Sequence, residues 1–277
     1  MSTDPALNPT EVGNDVMTKD ALISERRFSG VDRAYGVSVL ERLTNSHVVV
    51  VGIGGVGSWA VEALARSGLG SLTLVDMDHI AESNINRQIH ALQNTLGQAK
   101  VDAMFERISQ INPNCKVRVV DEFVTPANVQ DILPAHADII LDCTDGLAAK
   151  VAMVLCARSR AQSLIVCGAA GGKTDTLSLR AGDLRDSTHD ALLARLRTTL
   201  RKSHGFPSAA GPRPARLGVD VLWFSQASTR PLSQVGGAIA GAPLSCAGYG
   251  SLVTVTATMG MAAAAGAIDR IVRASPV

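Results

Sequence analysis

Apolar runs alternate with amphipathic stretches through the first 170 residues, and the alternation predicts strands and helices in turn. Residues 47–52 (HVVVVG) contain no polar position after the first, the pattern of a strand buried on both faces. Residues 56–67 read as a helix and 71–76 (SLTLVD) as a second strand. Residues 97–111 form an amphipathic helix stopped by Asn112-Pro113. A third strand (116–120), a short helix (126–133), a fourth strand (138–142), a helix (147–160) and a fifth strand (163–167) continue the series. This order predicts an α/β fold, Rossmann-like and doubly wound, with a mostly parallel sheet, helices on both faces and a C-terminal extension.

The flanks are less regular. Residues 1–24 are polar, with Pro5 and Pro9, and are expected to be flexible. Residues 26–43 predict one or two short helices. After Gly168, residues 174–179 suit one more strand, 180–202 a charged helix, and 203–218 a loop rich in Gly, Pro and Ser. Residues 219–224 suit a strand and 236–250 another loop. The apolar stretch 252–268 approaches spanning length, but Thr254, Thr256, Thr258, Gly260 and Gly266 dilute it. A small-residue core helix is the expectation, without stable membrane insertion.

Composition narrows the function classes. With 277 residues and net charge +1, the chain has room for a sizeable core and no global field toward nucleic acid or membrane. Five cysteines lie far apart, with no C-x-x-C pair for zinc or a redox dithiol. The N-terminus has no apolar signal core, which points to a reducing cytoplasm.

Three motifs carry candidate chemistry. Gly52-Ile53-Gly54-Gly55-Val56-Gly57 follows a strand and opens a helix, so the backbone can approach a phosphate at a helix N-terminus. Asp76 ends the next strand, where a carboxylate can accept bonds from ribose hydroxyls. These two features suit any nucleotide, a nicotinamide cofactor included. The segment from Asp76 and Asp78 through Asn84, Arg87 and Gln88 to Lys100 separates the readings. Its two cations suit a triphosphate rather than a dinucleotide, with Asn84 and Gln88 as neutral donors. A solvated polar loop is the bland alternative. The third motif is Asp142-Cys143-Thr144-Asp145-Gly146 after the fourth strand. An aspartate there can hold Mg²⁺ on phosphate oxygens, while Thr144 or Asp145 can instead cap the next helix.

In this order the motifs GIGGVGS, VDMD, SNINRQ, GQAK and DCTDG resemble the ubiquitin-activating-like (ThiF-type) superfamily of adenylating enzymes over about residues 26–170. The resemblance implies ATP and Mg²⁺. It makes Asp76 the ribose ligand, Asn84, Arg87 and Lys100 the phosphate and transition-state contacts, and Asp145 the Mg²⁺ ligand. It also implies a homodimer in which Arg27 or Arg33 reaches the partner's ATP site. The chain lacks the two C-x-x-C zinc pairs and the reactive cysteine of the sulfur-carrier activators. With NRQIHAL, RISQINP, EFVTP and GVD, it is most similar to the threonylcarbamoyladenosine dehydratase branch. That branch implies a tRNA substrate, a modified adenosine beside the anticodon bearing a threonyl carboxylate. The resemblance also raises a sulfur acceptor of a cysteine-desulfurase system as a partner, and leaves room for a monovalent cation, Na⁺ or K⁺, at the C-terminal loops.

On this reading residues 25–277 are one domain. It has a nucleotide-binding core (46–170), a substrate-facing basic helix and loops (171–250) and a C-terminal helix (251–273). The tRNA surface would use Arg180, Arg185, Arg195, Arg197, Arg201, Lys202, Arg213 and Arg216, interrupted by Asp183, Asp186 and Asp190. An ordinary charged surface helix explains the same residues. Cys246, His79 and His90 are expected to be structural. The rival functions are an activator of a small sulfur-carrier protein, an NAD-dependent oxidoreductase and a catalytically silent scaffold.

Overall fold

The structure, a computed structural model, describes residues 19–36, 38–208, 215–228 and 249–274. Strands β1 (His47–Val51), β2 (Ser71–Val75), β3 (Lys116–Val120), β4 (Ile139–Asp142), β5 (Ser163–Cys167), β6 (Leu179–Asp183) and β7 (Asp220–Phe224) form one sheet in the order β3-β2-β1-β4-β5-β7-β6. Every pairing is parallel except β6 against β7. The chain winds outward from β1 to β3, then returns to place β4 on the other side of β1. The order reverses between β1 and β4, and it is beyond the carboxyl ends of strands at such a switch point that open α/β sheets form their ligand crevice.

The β1 run explains the layering. Val48 and Val50 face one apolar core, and Val49 and Val51 the other. The first is covered by α2 (Val39–Thr44), α3 (Gly57–Arg66), α4 (Lys100–Ile111) and α8 (Val253–Arg273). The second is covered by α5 (Val129–Ile132) and α6 (Leu147–Ser159), with α7 (Ala191–Ser203) completing that face near β7. Alternation along a doubly buried strand leaves no polar side, so valine fills every position after His47.

The predicted core strands and crossover helices are present, with bounds shifted by up to three residues. Two expectations fail after β5. Residues 174–179, expected as a strand, hold a 3-10 turn at Thr176–Ser178, and the strand starts only at Leu179. The segment predicted as a helix from residue 180 begins instead as β6. Arg180 pairs with Trp223 and Asp183 with Asp220, so the sheet edge captures residues whose charge suggested a surface helix. The helix starts only at Ala191, where the Asp190 carboxylate accepts from the Leu193 N–H and caps it. Also, α1 (Lys19–Tyr35) begins inside the segment expected to be flexible. Phe28 is buried and anchors this helix, which then propagates backward through a run of good helix formers. Residues 1–18 lie outside the described residues.

Helix α8 is the one described helix long and apolar enough to cross a membrane. Its buried side, Val255, Met259, Ala263, Ala264, Ala267 and Ile271, packs into the main core. A side-chain carbon on Gly260 would lie 2.4 Å from the Val56 carbonyl oxygen and 2.8 Å from Trp59 Cβ. Small residues therefore let α8 lie directly on α3.

Candidate active site

Gly52 leaves β1 with φ +88°, a left-handed conformation that glycine adopts without strain. A side chain there would also meet the Cys143 carbonyl 2.9 Å away, because the turns after β1 and β4 touch. At Gly57 the space is filled by the Gly52 carbonyl itself. These contacts force the turn to bare backbone, with the N-terminus of α3 behind it.

Asp76 sits beneath this turn. Its Oδ2 accepts from the Ile53 N–H at 2.6 Å and its Oδ1 from the Asp78 N–H at 2.9 Å. Burial raises its pKa, and the Lys100 charge and the two N–H bonds oppose that rise. Lys100 is buried, and its Nζ pairs with Asp78 Oδ2 at 2.6 Å. Asp78 keeps about half its side-chain surface in solvent (53%), so the pair lies at the rim of the crevice.

Arg87 and Gln88 come from the turn after residues 82–84. Arg87 Cγ lies 3.4 Å from where a side-chain carbon on Gly55 would sit, and Gln88 Nε2 lies 3.9 Å from the matching point on Gly54. Both side chains thus border the glycine turn. The Arg87 Nη1 donates to the Ser83 carbonyl at 2.6 Å and to Asn86 Oδ1 at 3.1 Å, which orients an exposed guanidinium. Asn84 is buried, and its Oδ1 accepts from the Ala81 N–H at 3.0 Å, so it shapes this turn. The Gln88 Oε1 is buried without a partner.

At the β4 tip the Asp142 carboxylate is fully buried. Oδ1 accepts from the Thr144 N–H at 3.1 Å and hydroxyl at 2.7 Å, and pairs with Lys150 Nζ at 3.1 Å. Lys150 also donates to the Cys167 carbonyl at 2.8 Å. Asp142, expected among the nucleotide-binding residues, holds the Cys143-Thr144 turn from below through Oδ1, while its Oδ2 is buried with no partner among the described residues. Asp145 is exposed and makes no side-chain bond among the described residues. Gly146, not Thr144 or Asp145, occupies the N-cap of α6, and no side chain caps it. That leaves the Asp145 carboxylate available to Mg²⁺, which commonly takes one protein carboxylate and completes its shell with substrate phosphates and water. Among the described residues no cluster of three or more His, Cys, Asp or Glu forms a metal cage.

Sequence reasoning missed three supporting residues. Trp59 Nε1 donates to the Arg87 carbonyl at 3.0 Å, and the Thr256 hydroxyl reaches the same oxygen at 3.3 Å. They fix the backbone that carries Arg87, and no local pattern announces them. Lys150 had a signal: a single lysine within the apolar run LAAKVAMVLCA.

Other expected residues fall elsewhere. His79 makes an exposed backbone bridge to Ala99, while His90 is buried with neither ring nitrogen bonded. Burial, then the Lys100 and Arg107 charges, pull the His90 pKa down to about 4. Arg27 Nη1 caps α4 by donating to the Ile111 carbonyl at 2.7 Å. Arg33 is exposed and, among the described residues, bonds only to Ser29 within its own helix. Cys246 and Arg213 lie outside the described residues.

The basic segment is not a uniform surface. Arg197 donates to the Leu184 and Ser187 carbonyls, Arg201 to the Pro207 carbonyl, and Arg185 and Arg216 pair with Asp186 and Asp183. Asp190 lies at the carboxyl end of β5, where it accepts from the Ala169 N–H at 2.8 Å. Helix α7 runs away from that point, so Arg201 and Lys202 stand about 15 Å farther along the helix, at the opposite end of the sheet from the crevice. Among the described residues of this set, Arg180 at the start of β6 is exposed at the crevice end, with its Nη1 donating to the Leu177 and Leu179 carbonyls, and Arg195, one turn into α7, is exposed as well.

With this geometry in place, the sequence profile of the ThiF family matches residues 29–276. The chain is 39% identical over 250 residues to the tRNA threonylcarbamoyladenosine dehydratase of Haemophilus influenzae, covering 90% of this chain and 94% of that one. Two crystal structures of Escherichia coli tRNA N6-threonylcarbamoyladenosine dehydratase, TcdA, superpose on it at 39% identity over 89% of this chain and 94% of theirs. The complex with AMP does so with TM-score 0.80 and that with ATP with TM-score 0.79.

Proposed function

The chain belongs to the ThiF family, and from that premise we propose that it is an ATP-dependent tRNA threonylcarbamoyladenosine dehydratase. It adenylates the threonyl carboxylate of the modified adenosine and closes a ring with release of AMP. The observation that supports this most directly is the placement of Arg87 and Gln88 against the bare glycine turn, with Lys100 at the rim above Asp76.

A carboxylate is a poor electrophile, since its leaving group would be oxide. Attack of a carboxylate oxygen on the α-phosphorus of ATP breaks the bond to the β-phosphate oxygen and yields an acyl-adenylate and pyrophosphate. A nucleophilic atom of the substrate's own carbamoyl unit then attacks the activated carbonyl, and AMP leaves. The sum is loss of water at the expense of ATP. This chain supplies position and charge. The glycine turn and the N-terminus of α3 face the phosphates, Asp76 holds ribose hydroxyls, and Arg87 and Lys100 neutralise charge on the departing pyrophosphate. Asp145 would hold Mg²⁺, which supplies further charge neutralisation when bound.

Further parts of the proposal are a cytoplasmic homodimer and a sulfur acceptor of a cysteine-desulfurase system as partner. Arg33, which is exposed and bonded only within its helix, is the arginine offered to the partner's site; Arg27 is already engaged with α4. Incubating the chain with ATP, Mg²⁺ and total tRNA tests the function, with AMP formation that depends on tRNA as the expected result. AMP formed only with a small carrier protein would reject it. Mixing Arg33→Ala with Arg87→Ala chains tests the shared site: activity regained in the mixture is expected, and none regained rejects the trans arginine.

A further inference from the structure

Two cysteines 24 residues apart in the chain lie side by side in the fold, next to the glycine turn. Asp142 of β4 pairs with Val166 of β5 in parallel register, so Cys143 and Cys167 are the next pair along the two strand ends. Alternation turns both side chains to the face that carries Leu141 and Ile165. The Cys143 thiol donates to Cys167 Sγ at 3.9 Å. Neighbouring strands stand about 4.8 Å apart, within the separation of about 4.4–6.8 Å between α-carbons that a disulfide spans. Both thiols are free; Cys167 is 1% exposed, and Cys143 is partly exposed. Cys115 precedes β3 at the other end of the sheet, and Cys156 lies against its other face.

Cys143 is also a contact of the turn that faces phosphate. A side-chain carbon on Gly57 would lie 3.2 Å from Cys143 Cβ, and one on Gly52 would lie 2.9 Å from the Cys143 carbonyl. Cys167 is held more firmly, because β5 has β4 on one side and β7 on the other. Its carbonyl accepts from Lys150 Nζ at 2.8 Å, and the Gly168 N–H after it donates to the Leu222 carbonyl at 2.8 Å. A sulfur–sulfur bond is about 2.0 Å long, so closing the pair draws the sulfurs together by about 1.9 Å. With Cys167 fixed, that shift falls on the turn after β4 and on the glycine turn packed against it.

We propose that Cys143 and Cys167 are a reversible oxidation site, a dithiol that peroxide converts to a disulfide beneath the nucleotide-facing turn. Cys143 Sγ attacks one peroxide oxygen, the O–O bond breaks, and water leaves a sulfenic acid on Cys143. Cys167 Sγ then attacks the Cys143 sulfur, the S–O bond breaks, and the hydroxyl departs as water with the Cys167 proton. Two thiols are oxidised to one disulfide, and one peroxide is reduced to two waters. The bridge draws the β4 turn off the glycine turn and weakens nucleotide binding, and a thiol reductant reverses it. That the weakened ligand is ATP rests on the function proposed above; formation of the bridge does not.

The test exposes the full chain to hydrogen peroxide, digests it without reductant and maps the peptides by mass spectrometry. The thiol of Cys167 beside it and burial hold the Cys143 pKa well above its ordinary value, so the attack is slow and the incubation runs for hours. The expected product is a Cys143–Cys167 cross-linked peptide pair that dithiothreitol separates. In Cys167→Ala the sulfenic acid has no partner, and dimedone should trap it on Cys143. Equilibrium dialysis then reads the consequence. Oxidised wild type should bind ATP about tenfold more weakly than reduced, the worth of one charge-assisted hydrogen bond, and should recover with dithiothreitol. Cys167→Ala carried through peroxide and dithiothreitol should keep its affinity. Cross-links to Cys115 or Cys156 in place of this pair, or peroxide treatment that leaves both thiols unbridged, would overturn the site. A bridged chain that binds ATP as tightly as the reduced one would overturn its effect. The mapping needs no nucleotide, so its failure is distinct from failure of the dehydratase assignment.

Discussion

Two strand tips carry the same pair of residue types and use them differently. Past β2, Lys100 meets an aspartate that keeps half its side-chain surface in solvent; past β4, Lys150 meets Asp142 with neither side chain exposed. At the open tip the cation can exchange part of its interaction with Asp78 for a phosphate, because Asp78 stays half in water. At the sealed tip Asp142 Oδ1 meets Lys150, a hydroxyl and backbone, so this attraction serves to hold the turn that Gly52 packs against. A charged pair in a motif therefore announces chemistry only when one partner remains at the surface. The basic edge around α7 repeats the lesson, since most of its arginines already bind carbonyls or carboxylates.

The comparison breaks most sharply at Lys150. Lys150→Met strands a buried carboxylate and should lower unfolding free energy by about 3–5 kcal/mol in urea titrations, whereas Lys100→Met, which leaves a half-exposed aspartate, should cost far less. Equal losses would erase the distinction between the tips. Next in size, Arg87→Ala and Lys100→Ala should slow pyrophosphate release about 10²–10³-fold while leaving a folded protein. Undiminished turnover in both would remove them from the site.

A third probe is His90, behind Lys100. Its folded pKa, about 4, lies below the unfolded 6.5, so the folded chain binds fewer protons between these values. Its contribution is present above pH 6.5 and is lost as pH falls toward 4, on the order of 3 kcal/mol in all. His90→Gln should flatten unfolding free energy against pH in that window, and an unchanged slope would reassign the effect to other groups. The smallest expected effect concerns RNA. Arg180→Ala should lower the salt slope of tRNA binding by about one, and the double change of Arg201 and Lys202 to alanine should leave it unchanged. The reverse result would place the tRNA along α7.

Much of the site was legible in the chain because it is local. HVVVVG followed by glycines leaves few alternatives to a strand, a tight turn and a helix, and Asp76 and Asp145 follow from strand ends. Arg87 was legible as a cation at a telling distance from the turn, but its aim was not. That depends on Trp59 and Thr256, 28 residues before it and 169 after it in the chain. The basic segment was misread because charge density says nothing about partners: Arg180 sits in a strand, since Trp223 of β7 lies beside it.

The sequence by itself determined the order of strands and helices as far as β5, the backbone turn that takes phosphate and the residue types arrayed after it. These follow from side-chain shape and from the conformational freedom of glycine, which act over a few neighbours. Only the tertiary structure decided which of two lysine-paired aspartates was sealed and which stayed open, which arginines were already engaged, and that two cysteines far apart in the chain meet at neighbouring strand ends. Those outcomes depend on burial and on carbonyls delivered from distant parts of the chain, and a charge's chemistry is set by what surrounds it in space.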